Sequence, residues 1–417
     1  MNFIKNAPTL FLWFSLGGAA MAAPLKFAET LITGDLQYPY GINVADLDGD
    51  GDIDVTVADA RKVNSVFWFE NTGGEKFVRH LLHHQPAPAW KLERHVIADI
   101  NRDGLPDVAI VENSTNDVRW LQNPGLKSIR EPWKPHFITQ SGRVPGAYDL
   151  DVGDIDNDGW PDVATSSWRM GNMFMWHKNP GDLEGKNKDY FSTASTANKW
   201  AEWPTFTIAA DLAETRFVKL FDIDGDGDLD VVGTAARAGL VLWFENPNRP
   251  TTLPWTQHVI DKIGRPSHGQ VIDMDGDGDP DLVMANGMAS DQVPSEVLPI
   301  APKVAWYENL GTGAAWKKHI IQDPFPAAFE AVVKDLDGDR DLDVVATAWH
   351  KADGLALAWF ENLGGNRWTT HPIKQNWPRA VQVIVEDIDK DGRPDIIASA
   401  EDGSMEVRWW RNEGPAR

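Results

Sequence analysis

One nine-residue pattern constrains this chain more than any other feature. D-x-[DN]-x-D-[GR]-x-x-D occurs seven times, beginning at Asp46, Asp99, Asp154, Asp222, Asp273, Asp335 and Asp387. Carboxylates at positions 1, 3, 5 and 9 of so short a stretch repel one another unless a cation draws them onto one centre. An all-oxygen donor set suits a hard divalent ion, and Ca2+, which takes about six to eight oxygens, fits best. The expected ligands are Asp46, Asp48, Asp50 and Asp54; Asp99, Asn101, Asp103 and Asp107; Asp154, Asp156, Asp158 and Asp162; Asp222, Asp224, Asp226 and Asp230; Asp273, Asp275, Asp277 and Asp281; Asp335, Asp337, Asp339 and Asp343; and Asp387, Asp389, Asp391 and Asp395. Up to seven structural Ca2+ ions are expected. Glycine at position 6 lets the loop turn tightly, so Arg340, which replaces it in the sixth copy, predicts a strained loop.

After each ladder comes a β-run, such as Val55–Ala58, Val231–Thr234 or Ile396–Ser399. An EF-hand would place a helix there and an acidic residue at position 12, so that reading is excluded. A second marker, W-x-x-N, follows at Trp68/Asn71, Trp120/Asn123, Trp176/Asn179, Trp243/Asn246, Trp306/Asn309, Trp359/Asn362 and Trp409/Asn412. A third, [WF]-x-x-[HTF]-x-[IL], begins at Phe77, Trp133, Trp203, Trp255, Trp316 and Trp368, with its seventh copy displaced to Phe27–Ile32. Each unit therefore reads as four strands, with the ladder between the first and second. Four strands recurring every 50 to 70 residues predict an all-β, seven-bladed β-propeller. The displaced marker predicts an N-terminal strand that completes the last blade and leaves no unpaired edge.

The ladder with its following β-run resembles the FG-GAP or VCBS repeat. That repeat is found in integrin α-chain propellers, some fungal lectins and several bacterial polysaccharide lyases. The resemblance spans essentially all of residues 24–417, expected to form one domain, and implies the fold and calcium. It implies no single function, because propellers host many.

Residues 1–22 read as a secretory signal: Lys5, an apolar core from Thr9 to Gly17, then Ala20-Met21-Ala22. A secreted or periplasmic protein without a membrane span is expected, since no apolar run approaches the roughly 20 residues a span requires. The chain has no cysteine, so bound ions would replace disulfides as staples. The formal charge is −23, which argues against nucleic acid as a partner. Half of the 62 acidic residues are the 31 ladder aspartates, so bound cations would remove much of that charge.

The repeat also separates architecture from function. His80, His136, His258, His319 and His371 share one slot on the fourth strand and are architectural, and His95 falls in a slot held elsewhere by Ile42, Leu150 or Val218. His83, His84, His268 and His350 have no repeat explanation, and Trp90, Trp168, Trp349 and Trp377 are surplus to it. The surplus residues collect at the starts of the first strands and at the loops between second and third strands, on the face opposite the ladders. There the candidate catalytic residues are His268, Tyr148, Tyr40, Arg216, Arg379 and His350. Candidate substrate-binding residues are Arg61, Trp168, Arg169, Arg237, Arg265, Trp349 and Lys351.

Cations beside aromatics suit an anionic carbohydrate. Two functions are open. One is a lyase or dehydratase acting on a uronate-containing sugar by β-elimination, in which an arginine neutralises the carboxylate and Tyr or His moves the proton. This is also the chemistry implied by the resemblance to propeller lyases and to a fungal sugar dehydratase. The other is a non-catalytic module binding glycan or protein at the same face. The face differs from blade to blade, which favours one composite site over repeated lectin sites; a monomer is expected. The cations there also have a structural explanation, as partners of Glu93, Asp149, Asp151 and Glu330.

Overall fold

A computed structural model describes residues 25–60, 64–84, 92–140, 142–168, 170–181, 202–288, 301–350 and 354–415. The expected signal segment, Arg61, Trp90, Arg169 and Lys351 lie outside the described residues. Within them are 28 strands in seven four-stranded antiparallel sheets and no helix, which is a seven-bladed β-propeller. No helix is long and apolar enough to cross a membrane. The first blade runs Pro39–Ala45, Asp54–Asp59, Ser65–Asn71 and Phe77–His84. The inner strands of the next six blades are Leu92–Ala98, Ala147–Gly153, Thr215–Phe221, Pro266–Ile272, Ala328–Lys334 and Ala380–Glu386. The seventh sheet takes its outer strand from the other end of the chain: Leu25–Thr33 pairs antiparallel with Glu406–Pro415.

Second strands such as Asp54–Asp59 are buried along their whole length, because sheets pack on both of their faces. β-Branched and small residues fill that slot, as in Val55-Thr56-Val57-Ala58. Across the outer pair, the repeat Trp meets the repeat His in register: Trp68 faces His80, Trp243 faces His258, and Trp359 faces His371. Their rings pack at 4.2–4.7 Å, and each imidazole is held by the acceptor two residues beyond the Trp, as His319 is by Glu308 at 2.6 Å. The five architectural histidines are accounted for in this way.

The repeat Asn joins neighbouring blades. Asn179 donates to Pro161 O in its own blade (2.9 Å) and to Ile100 O in the preceding ladder (3.1 Å). Asn71, Asn123, Asn246, Asn309 and Asn412 make the same cross-blade bond. Asn362 does not; it donates only to Leu342 O, and a cleft of 610 Å³ opens at that seam between the fifth and sixth blades. Asn179→Ala should therefore cost about 1–3 kcal/mol in urea unfolding, because it strips one buried and one part-buried carbonyl of their donor, and Asn362→Ala should cost clearly less. Equal losses would remove the cross-blade bond from the account.

Candidate functional site

Every inner strand carries a register irregularity near its start, for example between Pro39 and Gly41, Ala147 and Leu150, or Thr215 and Val218. A bulge leaves one residue out of the ladder and re-aims its side chain. Residues at the second and third strand positions thus meet near the axis. Gly41 is required by this crowding, since a Cβ there would lie 2.5 Å from Glu93 O.

The groups that meet are chemically varied and come from different blades. The hydroxyls of Tyr40 and Tyr148 are in hydrogen-bond contact. Arg216 Nη1 donates to Tyr148 Oη at 2.9 Å, and its Nε and Nη2 donate to Glu214 Oε1 at 3.2 and 2.9 Å. Arg265 Nη2 and Trp168 Nε1 reach the same oxygen at 3.1 and 3.2 Å. The Arg216 guanidinium lies 5.0 Å from the Tyr148 ring and 5.2 Å from the Trp168 ring. His268 stacks on Phe329 at 5.0 Å, with Tyr148 at 5.7 Å on its other contact. Its Nδ1 pairs with Ser267 Oγ at 3.0 Å. Its Nε2 has no partner of normal geometry, although the Phe329 backbone lies close enough to favour the charged ring weakly. Toward the middle of the axis, Arg94 grips Glu330 through two bonds of 2.9 and 3.0 Å.

Burial sets the protonation states. Burial, reinforced by Arg94 and Arg216, drives the His268 pKa well below its usual value, so the imidazole is neutral at neutral pH. Burial raises both phenols; for Tyr148 the guanidinium groups of Arg216 and Arg94 oppose the rise without reversing it. Burial also pushes the Glu214 carboxyl up, but Arg216 and Arg265 outweigh it and hold it at about 2. Asp149, buried, is pushed up to about 6.

Tyr40, Tyr148, Arg216, His268, Arg265 and Trp168 thus form one network. Arg379 and Trp349 form a neighbouring one: the Arg379 guanidinium sits 5.1 Å from the Trp349 ring and 2.9 Å from Asp402, and Trp349 Nε1 bonds Glu401. His350 joins the second network through its backbone, whose carbonyl accepts from Arg379 N at 2.9 Å, while its ring turns away, Nε2 lying 3.2 Å from Leu355 O. Arg237 is exposed beside Ala213, to whose carbonyl its amide donates. Arg94, Arg216, Lys219, Arg265 and Arg379 all have carboxylate partners, so the described part of this end is a web of ion pairs rather than an open cationic funnel. Glu214 and Glu401 were missed by sequence reasoning. Both occupy slots whose residue type varies from blade to blade, the Glu214 carbonyl accepting from Ala236 as that of Arg379 accepts from Glu401, and the only sequence signal for Glu214 is its position two residues before Arg216. His95 is the core histidine expected, buried with Nε2 2.7 Å from Thr56 Oγ1.

The ladders lie at the other end of the axis. In all seven, the amide at position 6 donates to the position 1 carboxylate, as Gly159 does to Asp154 at 2.8 Å and Arg340 to Asp335 at 3.0 Å. Arg340 is held at a φ of 81° to do so, the left-handed backbone that glycine takes in the other copies. The position 9 carboxylate is buried and accepts two amides, as Asp230 does from Ile223 (2.9 Å) and Asn246 (2.8 Å). Carboxylate oxygens of Asp46, Asp48 and Asp50, of Asp222, Asp224 and Asp230, and of Asp335, Asp337 and Asp339 lie within 4.8 Å of one another. Burial and mutual repulsion raise the pKa of Asp48, Asp224, Asp275, Asp337 and Asp389. Such an all-oxygen set, strained by its own charge, fits a hard divalent cation.

Between the two ends, the last three residues of most inner strands are half-buried where the first four are buried. They line an axial cavity of 370 Å³ that reaches from the ladder end to Arg94 and Glu330, with Asn43, Lys219, Gln270 and Gln382 on its wall.

Compared with known families, residues 46–110, 99–165, 222–284 and 335–398 match the FG-GAP-like repeat. No curated protein sequence matches. Among solved structures, virginiamycin B lyase from Staphylococcus aureus superposes with a TM-score of 0.57 at 12% identity, covering 93% of this chain and 99% of that one. The BBS1N chain of a complex with ARL6DN superposes with a TM-score of 0.55 at 12% identity, covering 94% of this chain and 98% of that one. At these identities the likeness is one of fold.

Proposed function

The chain belongs to the FG-GAP-like repeat family, and from that premise we propose a secreted, calcium-stabilised propeller that acts on an anionic carbohydrate at the axial end away from its ladders. The reaction proposed is β-elimination across a uronate ring. One observation carries the reading: a neutral histidine with a nitrogen free of normal hydrogen bonds sits in the same cluster as two protonated phenols and a guanidinium. These are the parts such a reaction requires.

Arg216 would hold the substrate carboxylate and stabilise the charge that flows into it. His268 Nε2 would take the proton α to that carboxylate. The C–H bonding pair left behind would form the new C=C bond as the C–O bond β to the carboxylate breaks, and Tyr148, paired with Tyr40, would give its proton to the leaving oxygen. Trp168, half-buried over Arg216, offers a face to the sugar ring. Calcium in the ladders would hold the scaffold and take no part in this step.

The test is ultraviolet absorbance of an unsaturated product from a panel of uronate-containing glycans. Tyr148→Phe, which removes one oxygen, and His268→Asn should each lower kcat by about 10²–10⁴, the usual worth of a general acid or base. Melting temperature should stay near wild type for Tyr148→Phe. Binding without new absorbance would favour the second reading, a non-catalytic glycan- or protein-binding propeller. The near-complete burial of His268 and Tyr148 (0% and 2% exposed) and the pairing of the neighbouring cations speak for that reading.

A further inference from the structure

The residue just before the repeat Asn is an acceptor in five blades: Glu70, Gln122, Glu245, Glu308 and Glu361 each hold the fourth-strand histidine. In the third blade the histidine slot holds Phe206, which stacks on Trp176 at 4.9 Å, and the acceptor slot holds Lys178. With no imidazole to hold, Lys178 turns into its own ladder. Its ammonium contacts the carboxylate of Asp156 and lies 2.6 Å from that of Asp158, positions 3 and 5 of the pattern. In the seventh blade the same slot carries Arg411, but that side chain pairs with Glu75 and Glu413 instead. Arg393 contacts Asp391 in the seventh ladder and Arg130 lies 3.6 Å from Asp48 in the first, but among the described ladders the third has one cation seated on two ligand positions at once.

We infer that Lys178 is a built-in counter-ion, so that the third ladder takes a divalent cation far more weakly than ladders with no cation on their ligand positions, and keeps its shape without one. Two further contacts support the self-sufficiency of this loop. Arg102 Nη1 of the second ladder donates to Gly159 O at 2.6 Å, and Asn157 bonds Asp228 of the fourth. In this ladder the oxygens within 4.8 Å of one another are those of Asp154, Asp156 and Asp162, so a cation there would have to displace the ammonium from Asp156, and to recruit position 5 from Asp158 as well, meeting its charge at close range. The third ladder is thus a lysine-closed member of a set otherwise proposed to be closed by metal, and the inference rests on that proposal.

The third ladder has a reporter of its own, because Trp160 occupies position 7, where the other copies carry Asp, Leu or Arg. Metal-stripped full-length protein would be titrated with Tb3+ and excited through tryptophan, with Trp160→Phe subtracted to isolate the third loop. Native mass spectrometry would count Ca2+ in parallel. Lys178→Gln should gain one Ca2+ over wild type, and its Trp160-dependent Tb3+ signal should saturate at a concentration lower by at least about tenfold, equivalent to about 1.4 kcal/mol. Lys178→Met, which also removes the charge, should behave the same way should the glutamine introduce contacts of its own. Equal counts and equal titrations in wild type and both variants would overturn the inference while leaving calcium in the ladders intact. Failure of every form to bind Ca2+ would instead refute the calcium proposal on which it rests.

Discussion

Stripping divalent cations with a chelator should lower the melting temperature by at least about 15 °C. A ligand bound only by the folded state at a hundredfold excess over its Kd contributes about 2.7 kcal/mol per site, and several ladders act together. The reason lies in the loops: carboxylates at positions 1 and 3, together with position 5 or position 9, are gathered within 4.8 Å. The effect should also depend on pH. Burial raises Asp54, Asp107, Asp162, Asp230, Asp281 and Asp343 to about 7 in the metal-free fold, and Asp395 to about 6. A carboxyl raised in the folded state favours folding while protonated, and that contribution is lost as pH rises from its unfolded value toward 7. Metal-free protein should therefore melt lower at pH 7.5 than at pH 5, and the gap between calcium-loaded and stripped protein should widen over that interval. Identical melting curves with and without chelator at pH 7.5 would rule out calcium as a staple.

The second large effect is expected at the axis. Glu330→Gln should cost about 3–5 kcal/mol, the usual penalty for leaving one member of a buried ion pair uncompensated. Arg94 and Glu330 have side chains only 7% exposed and the pair is bidentate, so the guanidinium left behind stays largely buried. Replacing both residues by methionine should recover most of the loss, because the charge is then removed rather than orphaned. Urea unfolding decides the matter: a Glu330→Gln protein within about 1 kcal/mol of wild type would mean that water already reaches Arg94 through the 370 Å³ cavity.

Legibility followed repetition. The ladder, the W-x-x-N marker and the Trp–His slot each occur often enough for one copy to interpret another. The blade number and the displaced outer strand could therefore be read without coordinates. Singular residues were harder. Tyr40, Tyr148, Arg216, His268, Arg265 and Trp168 stood out because they break the repeat, and they do come together. Their electrostatics were not legible, because Glu214, the carboxylate that gathers Arg216, Arg265 and Trp168, looks like an ordinary loop residue in the chain. His350, like His268, had no repeat explanation, yet its ring faces a local carbonyl, since orientation within a loop leaves no periodic trace. Lys178 was passed over for the opposite reason: it sits in a repeat slot, and its meaning appears only once its side chain is seen to bend into the ladder.

The sheet shared by the two ends of the chain has a mechanical consequence. Leu25 lies opposite Pro415 and Thr33 opposite Val407, so a pulling force applied through residues 25 and 415 enters at one corner of a single strand pair. Antiparallel bonds loaded in that direction open one after another, as a zipper does, whereas bonds loaded along the strands resist together. Tension across the ends should thus peel Leu25–Thr33 away at low force before any complete blade is strained.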